Sequence, residues 1–91
     1  MIKSLRHAGL RELFETGKSP RVRQDLQRRA LVRLKVLDEA VTPRDMNVPG
    51  FNFHRLMGHP DRYSVHVNGP WCLTFEWEGQ NAVRVNLEQY H

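Results

Sequence analysis

Cysteine is almost absent: Cys72 stands alone, so no internal disulfide can form and a reducing compartment is expected. No apolar run approaches the roughly 20 residues that cross a bilayer. The opening Met1-Ile2-Lys3-Ser4-Leu5-Arg6-His7 lacks the apolar segment of a secretory signal. The expectation is a cytoplasmic protein with no membrane partner. Repeats, low-complexity segments and flexible linkers are also missing. The five histidines fall in no recognised ligand spacing, so neither a metal nor another cofactor is expected. Acidic residues are outnumbered, 10 against 14 lysines and arginines, for a net charge of +4. A basic surface of this kind suits nucleic acid, the ribosome or an acidic protein. The 91 residues fit a single domain, 1–91, with a thin core.

The hydrophobic pattern divides the chain in two. Met1 to Leu5 reads as a short first strand. Leu10, Leu13 and Phe14 have the spacing of a short amphipathic helix over Ala8–Thr16, stopped by Gly17. Ser19-Pro20 reads as the start of a second helix running to about Ala40. Its apolar stripe is Leu26, Ala30, Leu34 and Leu37, with Val22 and Val41 near its ends. Arg21, Arg28 and Lys35 recur every seven residues on the opposite face, a pattern that usually marks a solvated row and less often a phosphate track or docking surface. Pro43, Pro49 and Gly50 mark a loop, after which the period changes to two.

Four half-buried strands follow: Phe51 and Phe53; Tyr63, Val65 and Val67; Trp71, Leu73, Phe75 and Trp77; Val83, Val85 and Leu87. Asn68-Gly69-Pro70 and Glu78-Gly79-Gln80-Asn81 read as hairpin links. The order strand, helix, helix, four strands predicts an α+β fold with a helical hairpin on a small, mainly antiparallel sheet. The face away from the helices collects Asn52, His54, Ser64, His66, Cys72, Thr74, Arg84 and Asn86, a plausible groove for RNA. Tyr90-His91 follows the last strand directly. A phenol and an imidazole, both able to move protons, are therefore expected at the rim of the sheet. In a basic chain this suggests work on a phosphodiester.

With this order, the segments His54-Arg55-Leu56-Met57-Gly58, Tyr63-Ser64-Val65-His66-Val67-Asn68, Trp71-Cys72-Leu73-Thr74-Phe75 and Tyr90-His91 resemble the HigB family of bacterial toxins, within the RelE/ParE superfamily. Met1-Ile2-Lys3-Ser4 and Leu13-Phe14-Glu15-Thr16-Gly17-Lys18 match as well. The resemblance implies a RelE-like fold and the activity of a ribosome-dependent messenger RNA endonuclease. It also implies a helix-turn-helix antitoxin as partner, with operator DNA reached only through that antitoxin. The implied mechanism is metal-free: the ribose 2′-hydroxyl attacks the adjacent phosphate, assisted by a base, a cation and an acid. His54, Tyr90 and His91 match the family's catalytic positions. His91 is the preferred acid or base, since imidazole titrates near neutrality.

The chain departs from the family pattern at three residues. Cys72 stands where the family usually has an arginine, Met57 where it often has lysine, and Gln89 where Asp commonly precedes the terminal Tyr-His. The segment between Gly58 and Ser64 is also shortened. Cysteine offers neither a fixed charge nor a bidentate fork. Arg55, Arg62 and Arg84 are the neighbours that could supply the missing charge, with Cys72 pointing into the same pocket as His54 and His91. These departures from the family pattern point to a toxin fold with weakened or absent nuclease activity, a close second to an active nuclease. The alternative is a non-catalytic homologue that binds its antitoxin and acts in operon repression. A gyrase poison of the ParE type is a third reading, against which the terminal Tyr-His argues.

Overall fold

Residues 1–89 are described by a computed structural model, and Tyr90 and His91 lie outside the described residues. Helix α1 spans Ala8–Thr16. His7 caps it, its Nδ1 accepting from the Gly9 amide at 3.0 Å, a role its sequence position did not suggest. Gly17 ends it in the left-handed region at φ 88°, its amide bonded to the Leu13 carbonyl.

Helix α2 spans Gln24–Glu39, starting four residues later than the Ser19-Pro20 signal predicts. The connector explains the delay. Ser19 is buried, donates its hydroxyl to Glu12 at 2.6 Å and accepts the Arg21 amide at 3.1 Å. Gln27 Nε2 donates to the Ser19 and Val22 carbonyls. These bonds hold the backbone in a turn that competes with helix. Val41 lies beyond α2 and is exposed, not part of the stripe. A short 3₁₀ turn at Pro43–Met46 follows, closed by a Thr42/Asp45 capping box.

The sheet has four antiparallel strands in sequence order: β1 His54–Leu56, β2 Arg62–Asn68, β3 Trp71–Glu78 and β4 Asn81–Gln89. Both hairpin loops have two residues, with glycine at φ 56° (Gly69) and 63° (Gly79) in the first position. That is the pattern of a II′ turn.

Two predicted strand features change. Phe51–Phe53 precedes β1 instead of belonging to it, because Gly50 and Asn52 both take left-handed backbone, at φ 90° and 48°. Met1–Leu5 is not a full strand. It makes two isolated parallel bridges to β4, Ile2 to Ala82 and Leu5 to Val85. Between those bridges Arg84 sits at φ 51°, its amide accepted by Ser4 Oγ. The bulge breaks the regular ladder.

The same bulge shifts the phase of β4. Val83 is buried but lies opposite Glu76, outside the main core. Ala82, Val85 and Leu87 point inward instead. They pack with Val65, Val67, Leu73 and Phe75 against Leu10, Leu13, Leu26, Ala30, Leu34 and Leu37 of the helices. Trp71 and Trp77 border this core, half-buried.

Candidate functional site

Cross-strand partners share a face of a sheet, so register alone lists what the outer face carries. One row runs Leu56, Arg62, Glu76, Val83. The next runs His54, Ser64, Thr74, Asn86, and a third runs His66, Cys72, Glu88. A cavity of about 360 Å³ opens on this face, lined by Asn52, His54, Arg55, Leu56, Ser64, His66, Gly69 and Cys72.

His54 is exposed, and its Nδ1 lies 2.8 Å from the Asn52 carbonyl oxygen. A carbonyl only accepts, so Nδ1 carries the hydrogen. In the neutral ring this leaves Nε2 as a proton acceptor. His66 has the reverse arrangement, Nε2 facing the Gly69 carbonyl at 3.1 Å. Cys72 is half-buried, and its thiol is pushed above the ordinary range by burial first and by the charge of Glu88 second. It faces the cavity as a neutral thiol, not as a nucleophile.

Each of the three arginines singled out from the sequence is held by a carboxylate. Arg55 lines the cavity and pairs with Asp61 at 3.0 Å. Arg62 Nη2 donates to Thr74 Oγ1 at 3.0 Å and to Glu88 Oε2. Arg84 is not brought to the cavity. Its Nε bonds the buried Glu76 at 2.6 Å and its Nη2 bonds Glu78 at 2.7 Å. Of the residues chosen for proton transfer, the structure places His54 at the cavity, while Tyr90 and His91 lie outside the described residues.

Sequence reasoning missed Arg33. Although it is an arginine, it is only 8% exposed. Nε donates to the His66 carbonyl at 2.6 Å, Nη1 to the Arg29 carbonyl at 3.1 Å and Nη2 to the Gly50 carbonyl at 3.4 Å. The guanidinium lies 4.4 Å from the centre of the Phe51 ring. Burial, then the neighbouring Arg29 charge, lowers its pKa. Arg33 thus ties α2 to strand β2 and to the loop that delivers Asn52 and His54. The available signal was its spacing, four residues before Leu37 and three after Ala30, inside the apolar stripe.

A helical hairpin on one face of a four-stranded antiparallel sheet, with imidazoles, a thiol and an arginine round a cavity on the other, defines a small RelE-like domain. The model of a family described as the RelE-like toxin of type II toxin-antitoxin system HigB matches residues 3–91. The chain is also 35% identical to the Endoribonuclease HigB of Proteus vulgaris over 92 residues, covering 100% of both chains. It belongs to the HigB family of RelE-like type II toxins.

Proposed function

We propose that the chain is an attenuated, ribosome-dependent messenger RNA endonuclease, held in check by a helix-turn-helix antitoxin. The observation that carries this reading is the cavity on the polar sheet face, where His54 presents Nε2 with Nδ1 fixed by the Asn52 carbonyl. The relative from Proteus vulgaris is named an endoribonuclease, which supports the same reaction class. In the proposed chemistry a ribose 2′-hydroxyl attacks the neighbouring phosphorus. One imidazole, His54 or His91, takes the hydroxyl proton, and the other group delivers a proton to the leaving 5′-oxygen. Tyr90 orients the substrate or stacks on a base. The step needs no metal in this reading, provided that cationic side chains meet the charge growing on phosphate.

That last requirement supports attenuation. Cys72 is a neutral thiol where the resemblance implies an arginine. Arg55 and Arg62 are each paired with a carboxylate, and Arg84 with two. Loss of one preorganised donor costs on the order of 10²–10³ in rate. The same observations favour, as a second reading, an inert homologue that only binds its antitoxin.

Induced expression followed by mapping of mRNA ends separates the two. Parent, Cys72→Arg and His91→Ala chains are compared. The nuclease reading expects codon-aligned cuts from the parent, stronger cuts from Cys72→Arg and none from His91→Ala. Absence of cuts from both the parent and Cys72→Arg leaves only the inert partner. Equal cutting by those two refutes attenuation.

A further inference from the structure

We propose that Arg62 and Thr74 form a phosphate cradle, which Glu88 fills in the free protein and vacates for a phosphodiester of the substrate. The proposal deepens the nuclease reading and rests on it for the identity of the ligand. It comes from one convergence of atoms. A single carboxylate oxygen, Glu88 Oε2, accepts from both the Arg62 guanidinium and the Thr74 hydroxyl. The same guanidinium nitrogen also reaches Thr74 Oγ1, at 3.0 Å. A guanidinium and a hydroxyl aimed at one anionic oxygen are what a phosphate oxygen requires.

The position fits the cavity. Thr74 pairs across the sheet with Ser64, and Glu88 pairs with Cys72. Ser64 and Cys72 are both cavity-lining residues. The cradle is therefore its immediate neighbour, with Thr74 two residues along β3 from Cys72, the position that lacks an arginine. Access is suitable as well. Thr74 is fully buried and fixed, whereas the Arg62 and Glu88 side chains are 31% and 28% exposed, open enough for exchange of anions.

The other arginines do not offer this. Arg84 is matched by two carboxylates, one of them buried, so displacing both is unfavourable. Arg55 meets Asp61 in solvent, with no second donor among the described residues. The cradle also holds its present occupant ionised. Burial raises the Glu88 pKa, but the Thr74 and Arg62 bonds outweigh it and the net direction is downward.

The test uses purified chain, inorganic phosphate, and an RNA trinucleotide whose 2′-O-methyl riboses block cleavage. Binding is measured by calorimetry and by NMR for the parent, Glu88→Gln, Arg62→Gln and the double variant. Glu88→Gln should bind the trinucleotide roughly three- to tenfold more tightly, the range set by freeing a half-buried charged pair. Arg62→Gln should weaken binding and erase that gain in the double variant. A gain that survives in the double variant, or no gain at all, overturns the cradle. The parent supplies a readout that needs no variant to fold: phosphate should shift the Thr74 amide signal, and an unmoved signal at saturation also overturns it. The nuclease reading is separately exposed by mapping mRNA ends with the same variants. Cuts that persist unchanged in Arg62→Gln sink the cradle and leave the nuclease. A Glu88→Gln binding gain with no cutting by any chain does the opposite.

Discussion

Replacing Arg33 with methionine tests how the cavity wall is held. Methionine fills similar space but lacks the fork, so the loss is chiefly polar. The 2.6 Å bond to the His66 carbonyl is charge-assisted and contributes about 1.5–3 kcal/mol. The guanidinium over Phe51, at 4.4 Å, adds about 0.5–2 kcal/mol. The 3.4 Å contact with Gly50 is long and adds little, and the Arg29 carbonyl is one turn back on the same helix. Against these stands the cost of burying a charge with no carboxylate partner among the described residues, visible in the lowered pKa. Replacing a buried ion with an apolar group returns part of that cost. The net expectation is a loss of about 2 kcal/mol, or a fall in Tm of roughly 8–16 °C for a domain of this size. Urea unfolding of parent, Arg33→Met and Arg33→Lys measures it. Lysine keeps the charge but loses the fork, so it should recover less than half. The His66 and Asn52 amide signals should move in both variants, because those segments lose their tie to α2. Arg33→Met within about 0.5 kcal/mol of the parent, with those signals unmoved, refutes the argument.

Two further expectations concern single atoms. A Cβ at Gly9 would lie 2.8 Å from Arg21 Cβ and 2.9 Å from the His7 ring. Gly9→Ala should therefore destabilise by about 1–2 kcal/mol in urea unfolding, although alanine is the better helix former by about 1 kcal/mol; a stabilised variant would show that α1 and the connector are not in close contact. The acid limb of stability should depend on Glu88. Its folded pKa lies below the unfolded one, so its contribution is complete above the ordinary carboxylate pKa near 4.3 and is lost as pH falls through the lower folded value. Stability measured from pH 6 to 3 should thus fall less steeply in Glu88→Gln than in the parent, and parallel curves would contradict this.

Much of the architecture was legible because it is local. The period of 3–4 in α1 and α2, the glycine after Thr16, and the two glycine turns at 69 and 79 each specify their element through backbone freedom and one apolar face. Alternation likewise separated His54, Ser64, His66, Cys72 and Thr74 from the core side of the sheet. What each of those side chains meets was not legible. A two-residue hairpin at Gly79-Gln80 continues the pairing Glu76 with Val83, and unbroken it would set Cys72 opposite Leu87. The bulge at Arg84 instead pairs Thr74 with Asn86 and Cys72 with Glu88. That one-residue slip follows from Ser4 and the amino-terminal segment, about 80 positions away along the chain, pairing with β4. It brings a carboxylate to Arg62 and to the thiol. Periodicity is a property of neighbouring residues. Register between β3 and β4, and with it the charge around the cavity, is decided only when distant segments close their hydrogen bonds together.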